Sequence, residues 1–150
     1  MLEKNHTQPG LSTVILSDGS TVTLEQGSQL IYPASFGVGQ RKVYLQGEAF
    51  FEVAKNPAQP FLIYTGISVV QVVGTSFRIK ANAGQSPDQI AVRTGRVLVY
   101  RYRDFARAGS NEPALAEKAL VLLPNEQVVL DHDTKRKAPV QQAADVAAII

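Results

Sequence analysis

The chain contains no cysteine and no tryptophan, and it has only two histidines among 150 residues. Without cysteine, disulfides, thiolate nucleophiles and cysteine-based metal sites are excluded. A metal site needs three or four converging ligands, and His6 and His132 stand far apart in the sequence. His132 has an aspartate on each side, but a basic run follows it, which favours a solvated turn over a ligand. We therefore expect no metal and no cofactor.

Long apolar runs are also missing. No stretch approaches the roughly 18 consecutive apolar residues of a spanning helix, and residues 1–10 lack the apolar segment of a signal peptide. We expect these ten residues to form a disordered leader, and any export signal or anchor to lie outside this sequence. The net charge of +2, with 19% charged residues, does not favour nucleic-acid binding.

Motifs for bond chemistry are absent. The sequence has no Gly-x-Ser-x-Gly nucleophile elbow. The glycines of Gly37-Val38-Gly39 lack the third glycine and the following helix of a phosphate loop, so a hairpin loop is the better interpretation. Glu48 and Glu52 lie four residues apart on one face of a predicted strand, where structural carboxylates are favoured over a catalytic pair. We expect a protein that is not an enzyme.

Short runs of alternating apolar residues recur from end to end, which is typical of β-strands. Twelve are predicted: 12–16, 21–25, 29–32, 42–45, 49–53, 61–65, 69–73, 77–81, 90–93, 97–102, 120–123 and 127–130. Asp18-Gly19 predicts a tight hairpin between the first two, and Gln26-Gly27-Ser28 and Thr94-Gly95-Arg96 repeat the turn chemistry. The fold class is therefore all-β, with about twelve short strands in a β-sandwich, a barrel or a short β-solenoid-like arrangement.

Two stretches lack the alternation. Residues 104–118 are predicted to be a long loop with at most one helical turn near 114–118. Residues 139–150 are predicted to be a linker or the start of a following C-terminal domain, which leaves 11–138 as the single folded domain. Phe50 and Phe51 are adjacent and point to opposite faces of one strand, and we expect both to be buried.

Five segments occur in a fixed order along the chain. They are Leu16-Ser17-Asp18-Gly19-Ser20, the strand from Arg41 to Gly47-Glu48-Ala49-Phe50-Phe51-Glu52-Val53, Gly74-Thr75-Ser76-Phe77, Thr94-Gly95-Arg96-Val97, and Leu123-Pro124-Asn125-Glu126-Gln127. From Leu16 to Gln127 this series resembles the FecR family, the periplasmic part of transmembrane regulators that control an extracytoplasmic-function sigma factor. Two positions depart from the family pattern. Thr94 replaces a common Glu, and Asn125 replaces a common Gly, although Asn also tolerates the positive φ of a turn.

The resemblance implies a periplasmic signal-relay domain of an inner-membrane anti-sigma factor. Its implied partner is the signalling domain of an outer-membrane TonB-dependent transporter, whose occupancy by an iron chelate or a glycan is the signal. The sigma factor would be contacted only by a cytoplasmic segment, and this domain itself would touch neither nucleic acid nor membrane. We expect docking through an exposed strand edge or an apolar face. The alternative is a glycan-binding β-sandwich module with exposed tyrosines or phenylalanines in a row.

The motif residues are assigned structural roles. Gly47 and Gly74 stand where one apolar run ends and another begins, which predicts a corner, a bulge or a close backbone approach. Glu48 is expected to cap backbone donors or to pair with Arg41, and Thr75 to bond the backbone of its own turn. The full set comprises Asp18, Gly19, Arg41, Gly47, Glu48, Phe50, Phe51, Gly74, Thr75, Phe77, Gly95, Pro124 and Glu126.

Overall fold

A computed structural model describes residues 3–7, 10–81, 87–108, 118–130 and 135–139. These residues form thirteen strands and one short helix. The elements are β1 Glu3–Thr7, β2 Ser12–Ile15, β3 Thr21–Leu24, β4 Gln29–Pro33, β5 Arg41–Glu52, β6 Phe61–Tyr64, β7 Ser68–Val72, β8 Ser76–Ala81, β9 Asp88–Thr94, β10 Val97–Arg101, α1 Tyr102–Ala108, β11 Leu120–Leu122, β12 Glu126–Leu130 and β13 Lys135–Pro139.

The strands form two sheets that share β5. The first sheet has the order β1-β4-β5-β6-β7-β10-β11, and the second has the order β2-β3-β5-β8-β9-β12-β13. The first half of β5 pairs with β4 and, in parallel, with β6. Its second half pairs with β3 and β8. The all-β prediction is confirmed, and the two sheets form a nearly closed, sandwich- or barrel-like arrangement, called the sandwich below.

One hydrophobic core joins the two sheets. It contains buried residues of the first sheet, such as Val43 and Ile63, together with residues of the second, such as Phe51 and Ile79. Phe51 stacks on Phe77 with ring centroids 5.1 Å apart. Phe50 points to the other face of β5 and is only 6% exposed. The expectation that both adjacent phenylalanines are buried is therefore confirmed.

The Asp18-Gly19 turn closes the β2–β3 hairpin as predicted. Val14 pairs with Val22 in an antiparallel register, and the Gly19 amide donates to the Leu16 carbonyl at 3.0 Å. Gly19 has φ +88°, a conformation that costs glycine little. The turns at Gly27 and Gly95 are different, because each joins strands of different sheets rather than two strands of a hairpin.

Four features differ from the sequence predictions. The two runs predicted at 42–45 and 49–53 form one continuous strand, β5. The expected disordered leader contains β1, and the basic run after His132 contributes β13; neither shows apolar alternation, and each is held by pairing with a neighbouring strand. The helix α1 covers 102–108, so it begins at the end of the predicted strand 97–102 and takes up the first part of the predicted loop 104–118; Phe105 packs its ring on Tyr100 and Tyr64.

Several sequence features lie outside the described residues, including His132, all but Lys118 of the helical turn proposed near 114–118, and the tail beyond Pro139. Among the described residues, no helix is both long and apolar enough to span a membrane.

In the turn after Pro124, Asn125 stands at the position where the FecR pattern commonly has glycine. Asn125 has φ +67° and is the one non-glycine residue with a positive φ in the described part of the chain. We expect Asn125→Gly to leave the free energy of unfolding unchanged within a few tenths of a kcal/mol. Asn125→Ala should lower the free energy of unfolding by about 1–2 kcal/mol. In the left-handed region the alanine Cβ crowds the following carbonyl oxygen, and alanine lacks the polar side chain with which asparagine can hydrogen-bond locally. Urea denaturation of both variants measures the difference, and equal stability of the two would contradict it.

Candidate functional site

Arg41 is the centre of the motif residues. It begins β5, and its side chain is 1% exposed. All five guanidinium N–H groups have an acceptor. Nε donates to the Gln59 carbonyl at 2.6 Å, Nη1 to Asp18 Oδ2 at 2.7 Å and the Ala54 carbonyl at 2.8 Å, and Nη2 to the Val73 and Asn56 carbonyls at 3.3 and 3.4 Å. The guanidinium carbon also lies 5.2 Å from the centroid of the Phe61 ring.

These contacts join three separate parts of the chain at one end of the sandwich. Asp18 belongs to the β2–β3 turn, residues 54–59 connect β5 to β6, and Val73 follows β7. Asp18 is itself held, since it accepts bonds from the Ser20 amide at 2.9 Å and the Ser20 hydroxyl at 2.8 Å. The same hydroxyl accepts the Ala54 amide at 2.8 Å. A buried guanidinium with every donor occupied has a structural role and leaves no position for a ligand.

Glu48 does not pair with Arg41, so that expectation was wrong. Its carboxylate lies 3.3 Å from Arg78, which is also 3.3 Å from Glu25. The reason is geometric: Arg41 begins the half of β5 that pairs with β6 in the first sheet, and Glu48 lies in the half that pairs with β8 in the second. The Glu48 amide donates to the Ser28 hydroxyl at 2.8 Å. Glu52 accepts a bond from the Thr21 hydroxyl at 3.2 Å, so the two glutamates serve separate local contacts.

Of the alternatives left open for Gly47 and Gly74, the structure shows a close approach at both. A Cβ at Gly47 would lie 2.4 Å from Ser28 Oγ and 2.8 Å from Ser28 Cα. A Cβ at Gly74 would lie 2.7 Å from Lys55 Cα. Gly95 is equally constrained, because its Cβ would lie 2.4 Å from Thr75 Cγ2. Thr94, which stands where the family commonly has Glu, accepts the Ser76 amide at 3.1 Å.

Thr75 makes a contact different from the one predicted. Its carbonyl accepts the Val53 amide at 2.9 Å, but its buried hydroxyl has no hydrogen-bond partner among the described residues. An unpaired buried hydroxyl costs free energy. We expect Thr75→Val to raise the free energy of unfolding by about 1 kcal/mol.

Thr75→Ser is the matched control, because it keeps the hydroxyl and removes the methyl group that packs on Gly95. It should lower the free energy of unfolding by about 1 kcal/mol. Urea denaturation of the three proteins measures both effects. A Thr75→Val protein less stable than the parent would mean that the hydroxyl has a bonding partner in solution.

The Pro124-Asn125-Glu126 turn connects β11 to β12 and is held by hydrogen bonds within the turn and by one to β9. The Glu126 amide donates to the Leu123 carbonyl at 3.0 Å, and the Leu123 amide donates to the Glu126 carboxylate at 2.8 Å. The Asn125 amide donates to the Val92 carbonyl at 2.9 Å, which attaches the turn to β9. These motif residues therefore fix a turn and do not converge with Arg41.

Within the described ranges, no three His, Asp or Glu residues lie close enough together to hold a metal ion. Phe50, Phe51 and Phe77 are buried apolar residues, and Gly74 lies against Lys55. The other motif residues fall into four places, which are the Arg41 cluster, the Gly47–Ser28 contact, the Thr75–Gly95 corner and the 123–126 turn. Each of them connects chain segments.

The edge of the second sheet at β2 is the surface best suited to a protein partner. Leu16 and Ser20 close the hairpin with a backbone bond, so alternation along the ladder turns the N–H and C=O groups of Thr13 and Ile15 away from β3. Among the described strands, β2 pairs only with β3. Ile15 is 73% exposed and Leu11 is 67% exposed.

The other three sheet edges are less suited to pairing. β11 has three residues, β1 has the polar sequence EKNHT, and β13 has the basic sequence KRKAP. Short and charged edges oppose the addition of another strand. β2, with the sequence STVI, has no charged residue.

The outer face of the first sheet carries a tyrosine cluster, whose adjacency in space the sequence did not show. Tyr64 lies at its centre, with ring centroids 5.3 Å from Tyr44, 6.2 Å from Tyr102 and 6.0 Å from Phe105. Burial raises the pKa of Tyr64 above 10.0, and its neighbours Tyr44 and Tyr102 raise it further. The Tyr64 phenol therefore stays neutral at physiological pH. The alternation of Tyr44 and Tyr64 in their strands was visible in the sequence, but their adjacency depends on the β5–β6 pairing.

Comparison with known proteins agrees with the motif series. The family described as FecR protein matches residues 6–98. Two crystal structures of a candidate anti-sigma factor from Parabacteroides distasonis ATCC 8503 are similar to this chain at 30% sequence identity, with TM-scores of 0.78 and 0.76. They cover 92% and 93% of this chain, which spans 60% of their length. No curated protein matches the chain. Because the family match includes most of the sandwich, the chain belongs to the FecR family.

Proposed function

We propose that this domain is the periplasmic signal-relay part of a transmembrane anti-sigma factor. In this role it couples an outer-membrane TonB-dependent transporter to an extracytoplasmic-function sigma factor. The observation that carries the proposal is the similarity of over nine-tenths of the chain to a candidate anti-sigma factor, in addition to the family match. The motif residues act as structural connections, and bond chemistry has no part in the proposal.

The contact mode follows from the β2 edge. Thr13 and Ile15 offer outward backbone donors and acceptors, and the exposed Ile15 side chain adds apolar area beside them. A strand from the signalling domain of the transporter adds to this edge and extends the second sheet. Main-chain bonds supply the affinity, and the exposed aliphatic side chains of Leu11 and Ile15 supply part of the specificity.

The test is a calorimetric titration of the domain with the signalling domain of the TonB-dependent transporter encoded in the same gene neighbourhood. We expect saturable binding. Thr13→Pro should abolish it, because proline removes an outward N–H while leaving the bonds to β3 intact. Ile15→Lys should weaken it strongly, because an edge lysine opposes strand addition.

Leu123→Lys is the matched control, since it places the same charge on an exposed aliphatic position away from β2. It should bind like the parent protein. If the parent does not bind the signalling domain, the relay proposal is wrong. If it binds but both β2 variants bind equally well, the relay stands and the docking edge is wrong.

A further inference from the structure

Tyr44 forms a ridge between two grooves on the outer face of the first sheet. Its side chain is 45% exposed, and its ring lies beside that of Tyr64 at a tilt of 31°. One groove, of about 310 Å³, is lined by Gln29, Gln46, Tyr64 and Thr65. The other, of about 160 Å³, is lined by Tyr32, Gln40 and Lys42. Tyr44 belongs to both linings, so a chain-like ligand lying across its ring would enter both grooves.

The larger groove presents neutral polar groups beside the aromatic rings. Gln29 and Gln46 are direct partners across the β4–β5 pair, and each amide can both donate and accept hydrogen bonds. The carboxylate in the lining, Asp88, is 4% exposed and accepts bonds from the hydroxyls of Thr65 at 2.6 Å and Ser68 at 2.7 Å. The Asp88 carboxylate is therefore buried in the wall of the groove and does not face its opening.

We propose that this surface binds a neutral oligosaccharide, with Tyr44 as the stacking platform and Gln29 and Gln46 as hydrogen-bond partners. A sugar unit has an apolar C–H face, which fits an aromatic ring, and a rim of hydroxyls, which fits amide groups that donate and accept. Among the described residues that line the two grooves, the charged ones are Lys42 and the buried Asp88, and such a pair of opposite single charges favours a neutral ligand over an anionic or cationic one. Mostly apolar walls with a few polar groups are typical of small-molecule sites.

This site is independent of the β2 edge. It lies on the outer face of the first sheet, whereas β2 is the outermost strand of the second. The helix α1 covers the same face on the side of Tyr100, where Phe105 packs at 5.4 Å. The exposed part therefore ends at Tyr64, and the grooves form the uncovered remainder.

In the experiment, the full 150-residue chain is titrated with four neutral hexasaccharides and one charged oligosaccharide. The neutral ones are cellohexaose, xylohexaose, mannohexaose and maltohexaose, and the charged one is an oligogalacturonate. Tyrosine fluorescence and calorimetry report binding. We expect saturable binding of at least one neutral hexasaccharide and none of the charged one. Tyr44→Ala should weaken binding about tenfold or more, whereas Tyr44→Phe, which keeps the ring, should retain it. Gln46→Ala should weaken it several-fold.

Leu123→Ala is the control, because Leu123 is 49% exposed, lines neither groove and lies outside the tyrosine cluster. It should bind the sugar like the parent. Thermal unfolding of every variant separates lost binding from lost folding. Failure of all four neutral sugars to bind overturns the proposal, as does equal binding by Tyr44→Ala. If Tyr44→Ala instead loses binding to the transporter signalling domain but not to the sugars, the face is a protein-docking surface and the sugar site is wrong.

Discussion

An Arg41→Met variant is expected to lose about 3–5 kcal/mol of unfolding free energy, because removing one member of a buried charge pair leaves the other without compensation. The Asp18 carboxylate would lose its 2.7 Å partner, and the carbonyls of residues 54, 56, 59 and 73 would lose a donor. The loss should also loosen the β2–β3 turn and the β5–β6 connection, since both are attached to this one guanidinium.

Urea denaturation followed by circular dichroism measures the effect. Arg96→Met is the matched control, because Arg96 is exposed and should change stability by at most about 0.5 kcal/mol. Arg41→Lys should fall between the two: it keeps the charge but replaces the planar fork with a single ammonium group. This variant also keeps the test measurable if Arg41→Met does not fold. A loss for Arg41→Met no larger than that of the control would show that the cluster contributes little to stability.

Gly47→Ala is expected to lower the free energy of unfolding by about 3 kcal/mol, from two causes that add. Gly47 has φ +110°, and a non-glycine residue held in such a region costs about 1–3 kcal/mol. The new Cβ would also lie 2.8 Å from the backbone Cα of Ser28, so β4 or β5 must shift, and overpacking of this kind typically costs about 1–3 kcal/mol.

Gly19→Ala separates these two causes. Gly19 has a similar φ of +88°, but a Cβ there meets nothing within 4 Å. It should lose only the conformational part, about 1–2 kcal/mol. Thermal and urea unfolding of both variants gives the difference, which reports the close approach of β5 to Ser28. Equal losses at the two positions would mean that this approach does not require glycine.

The strands could be predicted from the sequence because each has one face in a common core. In β8, the alternation of Phe77, Ile79 and Ala81 with polar residues matches their burial residue by residue. Turn chemistry was equally local: Gly19 and Asn125 have the positive φ that their positions require. Such features depend on neighbours in the sequence, so the pattern alone contains them.

The contacts of Arg41 could not be predicted in the same way. Asp18 lies 23 positions away, and Glu48, which is nearer in sequence, faces another part of the molecule. The continuity of β5 was also hidden, because Gly47 looked like a break although its φ of +110° lets the strand pass from one sheet into the other. β1 and β13 depend on pairing with partners that already exist, so their own sequences carry no sign of them.

The sharing of β5 has a mechanical consequence. Among the described strands, β5 alone is hydrogen-bonded within both sheets, so neither sheet can slide or detach without breaking bonds of the other. A strand added beside β2 would be separated from β5 by two strands, β2 and β3. Any displacement that it causes in β5 would pass along the continuous backbone of β5 into the first sheet. Amide protons at the centre of β5 should then exchange with solvent only when the whole domain opens. The continuous backbone of β5 thereby links the two sheets covalently.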